Sequence, residues 1–184
     1  QVPEQTNIVI PVVSSEKRIY IPIGFMPSGN VYTNALFYID GANLYHFGVL
    51  TSIVHMAWVR VICGRLESRY RYSNDIVYNN FVWCQPTEKQ KRAIEITAQN
   101  ILDVRKSYPD STLADLYDPL TMPKPLRNAH RKNDVAVLAA YGFSADFSES
   151  EIVAKLMDLY KINYKWKEDL YVIKSISTYS QFFR

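Results

Sequence analysis

The spacing of apolar residues changes character at Leu50. From there Leu50, Ile53, Val54, Ala57, Trp58 and Val61 recur at intervals of three and four, which places them on one face of a helix. Upstream the apolar residues come as short β-branched and aromatic runs, "NIVIPVV", "RIYIPIGF" and "VYTNALFYID", parted by the turn-forming "SSEK" and "PSGN". Such runs are strand-like. A chain that opens on strands and turns to helices falls in the α+β class.

Thr51 or the residue before it is expected to cap the first helix, and Gly64 to end it. "DIVYNNFVW" then returns to strand-like composition, with Ile76, Tyr78, Asn80 and Val82 on one face and Val77, Asn79, Phe81 and Trp83 on the other. The expected architecture is a twisted mixed sheet of the N-terminal strands and this run, packed on the Leu50 to Cys63 helix. Ile53, Ala57, Trp58 and Val61 should be buried against it. Past Pro86 the pattern is helical: Ile94, Ala98, Ile101 and Leu102 form a stripe on a helix that begins at Pro-Thr and stops before Pro109. Further helices are expected near Pro125 to Tyr141 and Glu149 to Tyr160, and "KWKEDLYVIKSISTYSQFF" as a strand or a loosely docked end. The division is a sheet-containing portion, 1–85, and a helical C-terminal portion, 86–184. With 48% hydrophobic residues in 184, the chain has material for a substantial core.

Several chemistries lack their residues. The six glycines never occur two apart, so the glycine-rich turn of a nucleotide or S-adenosylmethionine pocket is missing. "YNNF" lacks the two prolines of the Asn-Pro-Pro-Tyr loop of amino-group methyltransferases. No Asp or Glu is followed two residues later by Lys, which removes the magnesium-binding pattern of restriction nucleases. His46, His55 and His130 are scattered and join no Cys or carboxylate at ligand spacing, so no metal site is expected. Cys63 and Cys84 lie in apolar or aromatic runs, as buried free thiols of a reducing, cytoplasmic compartment would. No stretch approaches the roughly 20 apolar residues of a membrane span. A start at Gln1 instead of Met suggests a processed or excised fragment.

The formal charge is only +3, so any nucleic-acid surface must be local. One candidate exists. Arg60, Arg65, Arg69 and Arg71 fall close together, with Glu67 and Asp75 the only acids nearby, and the run "RYRYSNDIVYNNFVW" adds tyrosines and asparagines. Arginine grips a guanine edge or a phosphate with a planar fork, and asparagine pairs in the same two-point way with adenine. The same composition also suits a strand that buries its rings and an arginine that bonds helix-end carbonyls.

Three segments carry a resemblance: "IYIPIGF", "LYHFGVLTSIVHMAWVRVICGRLESRYRYSNDIVYNNFVW" and "AQNILDVRKSYPDSTLADLYDPLTMPKPLRNAHRKNDVAVLAAYGF". In order they cover most of residues 19–143, and together they resemble the C-terminal target-recognition region of the MmeI-type restriction-modification methyltransferases. In that family one polypeptide joins a nuclease, an adenine-N6 methyltransferase using S-adenosylmethionine, and a region that reads bases so that a flipped adenine reaches the methylating pocket. Some relatives act as methyltransferases only. The resemblance implies a non-catalytic DNA-reading fragment whose partners are double-stranded DNA and the upstream methyltransferase domain of the same polypeptide. It implies no cofactor in the fragment, S-adenosylmethionine in the parent, and a bacterial cytoplasmic location on the nucleoid. The residues assigned to DNA are Arg65, Glu67, Arg69, Arg71, Tyr72, Asn74, Asn79 and Asn80. Glu67 and Arg69, less typical for the family, are the candidates for base edges. Relatives typically continue "YNN" as Phe-Pro-Trp-Pro; here Phe81, Val82, Trp83 and Cys84 follow, with proline at Pro86. The alternative reading is a protein-protein assembly module, since Arg and Tyr also anchor protein interfaces.

Overall fold

The computed structural model describes residues 6–180 except 28 and 30–32, and along 165–180 the backbone alone. Among the described residues six strands lie in two antiparallel sheets. β1 (Thr6–Pro11) is flanked by β3 (Gly24–Pro27) and β4 (Leu36–Ile39), and β6 (Arg69–Arg71) is flanked by β2 (Val13–Ser14) and β5 (Gly64–Leu66). Opposite Ile8 stand Phe25 and Ile39, and opposite Tyr70 stand Ser14 and Arg65. The helices are α1 (Leu44–Leu50), α2 (Ile53–Ile62), α3 (Glu88–Lys106), α4 (Leu113–Leu116), α5 (Lys124–Tyr141) and α6 (Glu149–Ser180). The class is α+β, with two small sheets where one mixed sheet was expected.

The reason for the difference is "DIVYNNFVW", which is no strand. Asn74–Tyr78 is a single π-helical turn, closed by Asn79 N–H donating to the Asn74 carbonyl at 2.8 Å. Side chains satisfy the backbone that a ladder would have used. Ser73 Oγ accepts from Ile76 N, Asn80 Nδ2 donates to the Asp75 and Ile76 carbonyls, and Trp58 Nε1 donates to the Val77 carbonyl at 2.9 Å. Residues 79–87 continue without regular structure.

The apolar run from Leu50 is divided between two helices. Ser52 caps α2, its Oγ accepting from His55 N and donating to the Val49 carbonyl at 2.7 Å, and Asp134 Oδ1 takes the next free donor, Ile53 N, at 2.8 Å. From Val54 to Val59 every residue of α2 is buried, so the helix lies inside the core instead of facing it with one stripe. Trp58 is 1% exposed, as expected, but Ile53 is half-buried and Val61, at the end of α2, is 52% exposed. The stripe on α3 holds better: Ile94, Ala98 and Ile101 are fully buried and Leu102 partly.

α1 was not expected. It crosses α3 so closely that a Cβ on Gly48 would meet Ile94 Cγ2 at 2.5 Å. The strand that was one expectation for the tail is instead helix through Ser180, with 181–184 outside the described residues. Where its side chains are described, α6 lies on α2: Tyr160 meets Trp58 with ring centres 5.7 Å apart, and Glu149 pairs with Arg60. One continuous apolar core runs from Ile8 to Leu156.

A buried polar chain ties the segment between β2 and β3 to the helices. Tyr20 donates to Asp134 Oδ2 at 2.6 Å and stacks on His130 at 4.1 Å. Arg105 donates Nε to Tyr117 Oη at 2.9 Å and Nη1 to the Ile23 carbonyl at 2.8 Å, and Tyr117 Oη bonds His130 Nε2 at 2.6 Å.

Candidate nucleic-acid interface

The arginine-rich segment folds as a hairpin. β5 and β6 pair Gly64 with Arg71, Arg65 with Tyr70 and Leu66 with Arg69, leaving Glu67 and Ser68 as the turn. Glu67 takes the left-handed conformation, φ 57°, that a two-residue hairpin turn demands and that glycine or asparagine would adopt more readily. Its carboxylate meets Arg69 Nη2 at 2.9 Å, with side chains 76% and 45% exposed. Period-two alternation sends Tyr70 inward and puts Arg69 and Arg71 on the open face. Arg65 lies over the Tyr70 ring at 4.3 Å and donates to the Arg60 and Ser68 carbonyls, so its fork is partly spent in holding the hairpin. Arg60 is spent wholly on structure, bonding Glu149 and the Ile19 carbonyl.

The other assigned residues divide. Tyr72 is not at the surface: it is 2% exposed and donates to His55 Nε2 at 3.0 Å, because His55 Nδ1–H is committed to the Leu50 carbonyl at 2.7 Å. Burial raises the Tyr72 hydroxyl far above its usual range and lowers His55 to about 4, which keeps both neutral. Asn80 is half-buried, and its amide nitrogen is taken up by the π turn. Asn74 and Asn79 are exposed and line, with Tyr78 and residues of β4, a cleft of about 450 Å³. Asn79 also reaches a second cleft of about 400 Å³ with Trp83, Tyr160 and Tyr164.

A third cleft, of about 530 Å³, carries residues the sequence reading passed over: Tyr45, His46, Trp83, Cys84 and Lys91, with Tyr78 again shared. Asn43 caps α1, its Oδ1 accepting from Tyr45 N and His46 N, and His46 Nδ1 accepts from Asn43 N at 3.2 Å. Tyr45 Oη donates to the Cys84 carbonyl and touches Cys84 Sγ, each at 3.3 Å. Burial first, then the Lys91 charge, lowers the His46 pKa; burial raises the Cys84 thiol. The available signal was Asn43 followed by Leu44, Phe47 and Leu50 at threefold spacing, a capped helix start.

The residues present do not fit S-adenosylmethionine. One glycine, Gly41, does stand between a strand and a helix, but β4 is an antiparallel edge strand and the free amides of α1 are already capped by Asn43. Among the described residues no His, Cys, Asp and Glu converge as metal ligands, and no helix is long and apolar enough to cross a membrane.

An exposed arginine hairpin and a separate tyrosine- and asparagine-lined cleft, on a small α+β body backed by helices, fit the class of a target-recognition module with a helical C-terminal domain. The chain belongs to the MmeI family: residues 1–85 match the family described as MmeI, target recognition domain, and residues 86–166 match MmeI, C-terminal domain. It is 41% identical over 160 residues, 86% of its length, to DNA methyltransferase A of Bacillus subtilis (strain 168), of which it covers 18%. It is also similar, with a TM-score of 0.82 and 46% identity over 88% of the chain, to the Type IIL restriction-modification enzyme MmeI solved in complex with DNA. It covers 22% of that chain, so it spans about a fifth of either relative.

Proposed function

We propose that this chain is the DNA-sequence reader of a longer restriction-modification methyltransferase, with residues 1–85 forming the reading portion and 86–184 a helical support. The single observation that carries the reading is the β5–β6 hairpin, which presents Arg69 and Arg71 to solvent on one face in a chain similar to an enzyme solved with DNA. In that role the hairpin enters a major groove. Arg71 and Arg65 hold phosphates, while Glu67 accepts from cytosine and Arg69 forks onto guanine. Asn74 and Asn79, exposed beside the cleft, are the next candidates for base or backbone contact. The upstream domain of the parent supplies S-adenosylmethionine binding and methyl transfer to adenine N6. Tyr72 and Asn80 act from behind, by fixing His55 and the π turn.

The test is a titration of the chain against duplex DNA at two salt concentrations, with RNA as competitor. Affinity should fall log-linearly with salt, and Arg71→Ala should flatten the slope by about one unit. A slope near zero would instead favour the assembly-module reading, for which Leu120, 93% exposed on the loop before α5, offers an apolar contact. Base reading is tested in the unbroken parent enzyme by mapping methylated sites. Glu67 or Arg69 substitutions should change the preferred base at one position, and an unchanged motif in both would move the readers elsewhere.

A further inference from the structure

We propose that the ring-lined cleft walled by Tyr45, His46, Tyr78 and Trp83, with Lys91 in its lining, receives a single unstacked nucleobase together with its phosphate. The inference deepens the DNA-reading role above and rests on it.

The geometry of the rings is the first ground. His46 and Trp83 meet at 76° with centres 5.6 Å apart, Tyr78 and Trp83 at 77° and 6.0 Å, and Tyr45 and His46 at 66° and 5.5 Å. Tyr45 and Trp83 are tilted at 43° with centres 6.3 Å apart, so no two of these rings in contact lie parallel. A flat heteroaromatic ligand gains most from rings that are not already stacked on one another. The walls are held from behind: Phe81, 5% exposed, packs edge-on against Trp83 at 5.4 Å, and the Tyr45 hydroxyl is tied to Cys84. A cleft of about 530 Å³ is also within the range of small-ligand sites.

Charge and hydrogen bonding narrow the class. No carboxylate lines the cleft, and Lys91 does, which disfavours the quaternary or methylated cations that aromatic cages otherwise take. Lys91 lies in the first turns of α3, where a cation opposes the helix dipole, and among the described residues it makes no ion pair. Its ammonium is therefore uncommitted and open to an anionic group at the cleft. His46 adds a donor. Its Nδ1 accepts from Asn43 N, so the neutral ring carries its proton on Nε2, ready for a base carbonyl or ring nitrogen. Flat faces, one donor and one cation together describe a nucleotide. Tyr78 also lines the Asn74–Asn79 cleft, so this pocket adjoins the surface proposed to meet DNA. An enzyme that swings one base out of a duplex leaves its partner unpaired, and such a base is the natural occupant.

The test uses three duplexes of one sequence: fully paired, with a one-nucleotide bulge, and with an abasic residue at the bulge. The chain should bind the bulged duplex about tenfold more tightly than the abasic one, and Trp83→Leu or Tyr78→Leu should bring that ratio to about one. Lys91→Ala should weaken the bulged duplex several-fold and flatten its salt slope by about one unit. Because Trp83→Leu threatens the fold, the unmodified chain is also read with 2-aminopurine at the bulge, whose fluorescence should be quenched on saturation. Equal affinity for bulged and abasic duplexes, or an unquenched probe in a saturated complex, would overturn the cleft while leaving the hairpin reading in place. Failure to bind any of the three duplexes would overturn both.

Discussion

At the scale of single residues, buried polar groups set firmer constraints than the exposed charges. Tyr72 donates to a histidine nitrogen whose ring has no other use for it, so Tyr72→Phe leaves His55 Nε2 buried and unpaired. Such a loss costs about 1–3 kcal/mol, and chemical denaturation should show a drop of that size with phosphate contacts, read as the salt slope, unchanged. A changed slope would put the hydroxyl on DNA after all. Glu67 poses the opposite case. Its left-handed backbone favours glycine, so Glu67→Gly should raise hairpin stability by up to about 1 kcal/mol while relaxing base preference, a trade that thermal unfolding and site mapping can read together. Tyr72 stands among the DNA candidates because the alternation in "RYRYS" does not itself tell whether the tyrosine face or the arginine face points inward. Burial of both Tyr70 and Tyr72, with Arg69 and Arg71 exposed, settles it.

At the scale of elements, what was legible depended on whether backbone bonds close locally. α3 and α5 carry their own signals, Thr87 with Gln90 at one start, Pro125 near the other, and Gly142 in the left-handed cap, and both run close to the expected bounds. The π turn does not. Its alternation of apolar residues is that of a strand, and only the tertiary bond from Trp58 Nε1 and the Asn80 amide decide against it. The hairpin β5–β6 is not legible in the sequence, since its three-residue strands are too short to show a period. α1 was missed because Gly48 weakens its helical pattern, yet that glycine is what lets α1 approach α3. Gly48→Ala tests the contact: helix propensity alone would gain about 1 kcal/mol, whereas the clash with Ile94 should cost about 1–3 kcal/mol and win. A net gain in thermal stability would mean that α1 and α3 separate at little cost.

At the scale of the whole molecule, three buried titratable groups on α2 and α5 join segments far apart in the chain, and these should govern how stability depends on pH. Burial lowers His55 to about 4 and His130 to about 3 from an ordinary 6.5. Both are then neutral in the folded chain and protonated in the unfolded one, so their contribution is full above pH 6.5 and is lost as pH falls toward those values. Asp134 has the opposite sign: burial raises it from 3.8 to about 6, against the hydrogen bonds from Tyr20 and Ile53 and the charge of Arg131. Its contribution is full below 3.8 and is lost as pH rises through 6. Between pH 4.5 and 5.5 two histidines oppose one carboxyl, and each proton of difference amounts to about 1.4 kcal/mol per pH unit. Stability should therefore fall by about 1.4 kcal/mol per unit of acidification. Asp134→Asn keeps an acceptor for Ile53 N and removes the opposing group, so the fall should steepen to about 2.7 kcal/mol per unit. Urea denaturation of both proteins at pH 6.5, 5.5 and 4.5 measures the two slopes. Equal slopes would mean that Asp134 stays ionised through this range, held by Tyr20 and the α2 terminus more strongly than burial opposes it.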